Sequence, residues 1–163
     1  MNAEPSPKRL EIRVTDHCVP ITVPQTTFVP QESEYCYNNS LAALERNDES
    51  LEINFRFKDG KGTQKGFYRK EGQRWVEFDP ERQVKTIEIC YNENDSRCFG
   101  LRLIDTNQLV IAEASTEFFT SRCAKIKKFE LEQGERILGI KCRHKKNYPA
   151  HVFDLQFVLG KLV

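Results

Sequence analysis

The sequence predicts an all-β protein, an antiparallel sandwich or barrel-like fold of about nine short strands with one short helix near residues 40–46. Three observations carry that prediction. Apolar residues recur at every second position in Leu10/Ile12/Val14, Leu51/Ile53/Phe55/Phe57 and Phe153/Leu155/Phe157/Leu159, which places them on one face of a strand. Clusters of Asn, Asp, Gly and Glu suited to turns separate such runs. A helical period is nearly absent, and this argues against alternating βαβ units.

The elements follow in chain order. Residues 1–9 offer almost nothing to bury and are expected to form a flexible N-terminal segment ahead of a single β domain over 10–163. Leu10–Val14 reads as the first strand. Residues 19–31 carry Pro20, Pro24 and Pro30 among β-branched residues; proline cannot donate to a ladder, so this stretch reads as an edge strand or extended arm. Ser40-Leu41-Ala42-Ala43-Leu44-Glu45-Arg46 is rich in helix formers, follows residues able to N-cap, and stops at Asn47-Asp48, which predicts a turn or two of helix. Leu51–Phe57 reads as a strand joined to Phe67–Phe78 through Asp59-Gly60-Lys61-Gly62-Thr63-Gln64-Lys65-Gly66, a glycine-rich hairpin. The remaining strands are expected at Arg74–Phe78, Val84–Tyr91, Cys98–Ile104, Gln108–Glu113, Ile126–Leu131, Arg136–Arg143 and Phe153–Leu159.

The 163 residues are 39% apolar and 30% charged, enough to bury a core. Lys and Arg number 25 against 24 Asp and Glu, a formal charge of +1, so the field of the whole molecule does not gather a nucleic acid or a membrane surface. No stretch approaches the roughly 20 apolar residues of a membrane-spanning helix, and the polar start lacks the apolar region of a secretory signal. A cytoplasmic location is therefore expected. The six cysteines, at 18, 36, 90, 98, 123 and 142, form no CxxC pair and are expected to be reduced. The sequons Asn38-Asn39-Ser40 and Asn94-Asp95-Ser96 carry no meaning in a chain that is not exported.

Candidate chemistry is sparse. Cys142, His144 and His151 are soft ligands, but their spacing matches no zinc finger and Lys145 and Lys146 oppose a cation. Adjacent His17 and Cys18 would point to opposite faces of a strand, as would His151 and Asp154, three apart. The glycine-rich hairpin lacks the GxxxxGK[ST] order that cradles a nucleotide. Neither enzyme activity nor a cofactor is expected. Two basic clusters, Lys125/Lys127/Lys128 and Lys141/Arg143/His144/Lys145/Lys146, would make one positive face if their strands are neighbours. Most phenylalanines sit at alternating, core-like positions, whereas Tyr35, Tyr37, Tyr68 and Tyr148 lie in polar segments, where tyrosine gives rigid contact area with a hydrogen-bonding tip.

Within 84–159, the runs Val84-Lys85-Thr86-Ile87-Glu88-Ile89-Cys90-Tyr91, Phe99-Gly100-Leu101-Arg102-Leu103, Gly134-Glu135-Arg136-Ile137-Leu138-Gly139-Ile140 and Phe153-Asp154-Leu155-Gln156-Phe157 resemble the strand order of jacalin-like domains. Glu135-Arg136-Ile137-Leu138-Gly139-Ile140 is similar to that family's E-x-I-x-G-I step. The resemblance implies a β-prism of three sheets. It also implies a sugar site built from a glycine-rich N-terminal loop and a C-terminal Gly-x-x-x-Asp loop. Neither motif is evident here; the segment between Arg143 and Val152 reads His144-Lys145-Lys146-Asn147-Tyr148-Pro149-Ala150-His151.

The expected function is that of a non-enzymatic protein-interaction module within a larger assembly, with Tyr148, Lys145, Lys146, Arg143, Tyr35 and Tyr37 as partner-binding residues. A jacalin-like, carbohydrate-binding domain is the alternative. Binding of an anionic or nucleic-acid partner through a basic patch is a second.

Overall fold

The computed structural model describes residues 8–17, 26–28, 35–46, 53–62, 74–92, 97–115, 125–144 and 154–163. Eleven strands are present among them: β1 (Leu10–Val14), β2 (Thr26–Phe28), β3 (Leu41–Arg46), β4 (Ile53–Phe57), β5 (Arg74–Glu77), β6 (Val84–Asn92), β7 (Arg97–Asp105), β8 (Val110–Ser115), β9 (Lys125–Glu130), β10 (Arg136–His144) and β11 (Asp154–Leu162). They form three antiparallel sheets with the orders β1-β11-β10-β2, β4-β3-β5 and β8-β7-β6-β9. The first joins the two ends of the chain: β1 runs along β11 with Leu10 opposite Leu162 and Val14 opposite Val158. Arg9 and Val163 exchange both backbone hydrogen bonds, at 3.0 and 2.9 Å.

The sheets converge on one core. Each contributes a phenylalanine: Phe55 from β4 meets Phe157 from β11 with ring centroids 6.4 Å apart at 79°, and Phe129 from β9 meets the same ring at 6.2 Å and 61°. Phe157 is fully buried, so the period-two pattern of β11 aims its ring at the axis where the three sheets meet. Leu44, Ile87, Ile89, Leu101, Leu103, Ile140, Leu155 and Leu159 complete the centre.

The helix expected at 40–46 is instead β3, the central strand of the second sheet. Leu44 sits opposite Phe55 on one side and Val76 on the other, and Leu41, Ala43, Leu44 and Glu45 are all buried. Helix propensity is worth a few tenths of a kcal/mol per residue, about an order of magnitude less than burying a leucine, so packing overrides it. A register shift between Leu41 and Ala43 breaks the period-two signature that the sequence would otherwise show. The proline-rich arm contributes β2 at residues 26–28, an edge strand with Phe28 opposite Cys142 and Thr26 opposite His144. The rest of the arm lies outside the described residues.

Polar clamps close the corners. Arg13 on β1 makes a bidentate pair with Glu135, both contacts at 2.7 Å, and donates at 2.9 Å to the carbonyl of Glu130. Burial pushes the Glu135 carboxyl up, but Arg13 and the Glu132 amide outweigh it and hold the group below its ordinary value. Asp105 closes the β7–β8 turn by accepting from the amides of Leu109 (2.9 Å) and Asn107 (2.8 Å) and from Arg82 (2.5 Å), and these bonds lower its pKa. The expectation of reduced cysteines fails at Cys90, which is disulfide-bonded, while Cys36 and Cys98 are thiols. Pairing depends on how the fold brings Cβ atoms together, which spacing does not reveal.

Candidate functional site

The order of the first sheet brings two chain connections to one of its ends. At that end β10 and β11 are joined by residues 145–153, with Arg143 opposite Asp154. Beside them β2 starts with Thr26 opposite His144, and β1 finishes its run along β11 at Thr15. The Thr15 hydroxyl accepts from the Phe157 amide at 2.9 Å, its own amide donates to the Phe157 carbonyl at 2.9 Å, and its carbonyl accepts from the Gln156 side chain at 3.1 Å. A buried threonine thus replaces the last ladder bond and sets where the chain departs. Exposed Asp16 and His17 follow it. The segments 18–25 and 145–153, outside the described residues, therefore start and finish on neighbouring strand ends.

Of the residues expected to bind a partner, Arg143 is on β10 at this end, whereas Lys145, Lys146 and Tyr148 belong to the connection outside the described residues. Tyr35 and Tyr37 are elsewhere. The half-buried Tyr35 ring lies against β10 at Gly139, where a Cβ would fall 2.5 Å from a ring carbon, and burial raises its pKa. Tyr37 donates at 2.8 Å to the carbonyl of Gly134, while the Arg136 guanidinium lies 4.1 Å from its ring centroid and donates at 3.1 Å to its carbonyl. Arg136 and Arg143 stand at opposite ends of β10, roughly 23 Å apart at about 3.3 Å per residue, so Tyr37 and Arg143 belong to different ends of the sheet.

The two basic clusters are also separated, because β9 belongs to the third sheet and β10 to the first. Beside β9, the outer face of the third sheet forms a shallow groove in which Lys128 lies 4.0 Å from Glu88, Lys85 lies 3.6 Å from Glu130, and Arg102 pairs with Glu113 at 3.0 Å. These pairs neutralise the cations there. Among the described residues, no His, Cys, Asp or Glu group could hold a metal ion, and no helix is long and apolar enough to cross a membrane.

Three sheets around one core, with the first and last strands paired in the first of them, define a jacalin-like β-prism. No family model and no curated protein sequence matches the chain, but solved structures do. The second β-prism domain of RbmC from V. cholerae, bound to N-acetylglucosaminyl-β-1,2-mannose, is 12% identical with a TM-score of 0.54 over 89% of this chain and 98% of that one. AcmJRL, a mannose-binding jacalin-related lectin from Ananas comosus, is 11% identical with a TM-score of 0.59 over 91% and 96%. Lamprey immune protein is 13% identical with a TM-score of 0.56 over 85% of this chain. The chain spans 45% of that longer protein. At such identities the likeness is one of fold.

These neighbours correct the expected function. The protein-interaction module was the leading reading of the sequence; lectins recur among the structures that share the fold, and they favour the carbohydrate-binding alternative. Sequence reasoning weighed Asp154, which heads β11, only as a partner of His151. Its signal was present as Ala150-His151-Val152-Phe153-Asp154, the spacing of the Gly-x-x-x-Asp loop with alanine in place of glycine.

Proposed function

We propose that this chain binds carbohydrate at the end of the first sheet where the segments 18–25 and 145–153 are anchored. The observation that carries the reading is the β1-β11-β10-β2 order, which gathers both segments at one end and puts Asp154 at the foot of the second. A carboxylate there accepts charge-assisted hydrogen bonds from sugar hydroxyls. Tyr148 supplies a rigid ring and a hydroxyl, and Arg143, Lys145 and Lys146 supply donors. The segment has Ala150 where the lectin pattern has glycine, and keeps the acid at the same spacing, as Asp154. The glycan bound to the RbmC domain and the mannose binding of AcmJRL make mannose-containing glycans the first probes.

Isothermal titration with N-acetylglucosaminyl-β-1,2-mannose and with mannose, alongside a broad glycan array, tests the proposal. Asp154→Asn is expected to weaken binding about tenfold or more, the equivalent of one charge-assisted hydrogen bond, while circular dichroism stays unchanged. Tyr37→Phe, altered at the other end of the sheet, is expected to bind like the parent. Silence of the parent chain across the whole array would overturn the reading.

A further inference from the structure

The outer face of the third sheet holds a carboxylate that its neighbours leave unsatisfied. Ile87, Ile89, Leu101 and Leu103 point into the core, so alternation turns Glu88 and Arg102 outward. Glu88 stands opposite Lys128 on one side and Arg102 on the other, and Arg102 stands opposite Glu113. One row across four strands therefore runs Lys128, Glu88, Arg102, Glu113, with the sign of charge alternating every ~4.8 Å. Arg102 donates to Glu113 at 3.0 Å. Glu88 is served less well. Its side chain is 10% exposed, and the Lys128 ammonium paired with it lies at 4.0 Å, beyond hydrogen-bond reach. Among the described residues no hydrogen bond to the Glu88 side chain is present. A carboxylate nine-tenths buried and without a donor is costly to keep. It lies on the floor of a groove of about 590 Å³, a size in the range of small-molecule sites. Alongside the charged row, Ile104 pairs with Val110, and Val110 is 49% exposed.

From this groove we infer a binding site for neutral oligosaccharides, built on the face of the third sheet rather than on the loops at the strand ends. The charges select the ligand class. Lys128 and Arg102 balance Glu88 and Glu113, so the groove has no net pull on an anion. A cation approaching Glu88 passes between two side chains of its own sign. A sugar meets neither obstacle, because each hydroxyl both donates and accepts. One hydroxyl donates to the Glu88 carboxylate and accepts from Lys128 or Arg102, in bonds strengthened by the protein's charges. Ile104 and Val110 offer an apolar surface for the C–H face of the same ring. The Lys128 side chain is 63% exposed and can move from its 4.0 Å position to close on a ligand. The site draws on β6, β7, β8 and β9 alone, so it stands whether or not the end of the first sheet binds sugar. If both do, one chain engages a glycan at two places and gains avidity.

Amide NMR spectra of the isotope-labelled chain, titrated with mannotetraose, cellotetraose and chitotetraose up to about 10 mM to cover weak single-site affinities, test the inference. At least one of the three is expected to shift the amides of Glu88, Arg102 and Lys128 along a saturating curve. The amides of Arg143 and Asp154, followed in the same spectra, report the end of the first sheet, so failure at one place is distinguished from failure at the other. Glu88→Ala is expected to weaken binding at the third sheet about tenfold or more. Lys128→Ala, which alters an exposed side chain and leaves the fold alone, is expected to weaken it about threefold to tenfold. Absence of saturable shifts on the third sheet with all three sugars, or an unchanged affinity there in both variants, would overturn the inference.

Discussion

Arg13 and Glu135 form an ion pair whose two halves are unequally exposed, and their removal should therefore have unequal consequences. The Glu135 side chain is 2% exposed and that of Arg13 46%. Glu135 accepts two guanidinium bonds at 2.7 Å and the Glu132 amide at 2.6 Å. Arg13→Ala leaves a buried carboxylate with one amide for company, an uncompensated charge expected to cost about 3 kcal/mol. Glu135→Ala leaves a guanidinium that can turn to water and one unpaired amide, expected to cost about 1.5 kcal/mol. The two also differ with pH. In the parent chain the Glu135 pKa is lowered on folding, so its contribution is full above the unfolded carboxylate value and is lost as pH falls through the folded one. Without Arg13, burial dominates and the folded pKa rises above the unfolded value, so the deficit of Arg13→Ala should be largest near pH 7 and shrink toward pH 4. Urea unfolding of the parent chain and both variants at the two pH values measures this. Equal costs for the two substitutions, or a deficit of Arg13→Ala that does not change with pH, would refute the reasoning.

Other expectations follow from the same geometry. Phe157→Ala opens the point where three sheets meet and should cost about 3–5 kcal/mol, read by urea unfolding. At Gly62 a Cβ would fall 1.9 Å from the carbonyl oxygen of Phe55, a backbone atom that cannot step aside. Gly62→Ala should therefore break the bridge between Arg56 and Gly62 and lower the melting temperature, whereas Gly60→Ser, with open space around it but a φ of +86°, should cost about 1 kcal/mol from backbone strain alone. Tyr37→Phe removes the hydroxyl bond to Gly134 and should destabilise by about 1 kcal/mol in thermal unfolding.

Strand positions were legible because the signal for them is local. In β4 and β11 apolar residues recur at every second position, as Ile53, Phe55 and Phe57 and as Leu155, Phe157 and Leu159, and that recurrence is written in the residues themselves. Even β2 could be read, since prolines confine a strand to an edge. β3 could not be read: its alanines, leucines and glutamate favour a helix in isolation, and only the neighbouring β4 and β5 turn them into a central strand. The candidate site divides in the same way. Arg143 and Tyr148 stood out by type, but Asp154 was weighed only beside His151, because its segment has Ala150 where the familiar pattern has glycine. Tyr37 drew attention as a partner-binding residue in a polar segment; in the structure its hydroxyl holds Gly134 and its ring stacks under Arg136.

By itself, then, the sequence determined an all-β chain, the place of most strands, and a resemblance to the jacalin-like prism over about half its length. Tertiary structure alone decided that residues 41–46 are a strand, that the two basic clusters lie on separate sheets, that Cys90 is bonded, and that the segments 18–25 and 145–153 are anchored at one end of one sheet. The physical reason is the range of the interactions. Alternation and turn chemistry act between near neighbours in the chain, while pairing partners such as Arg13 with Glu135, or Phe55 with Phe157, are about a hundred residues apart and meet only once three sheets have closed on a common core.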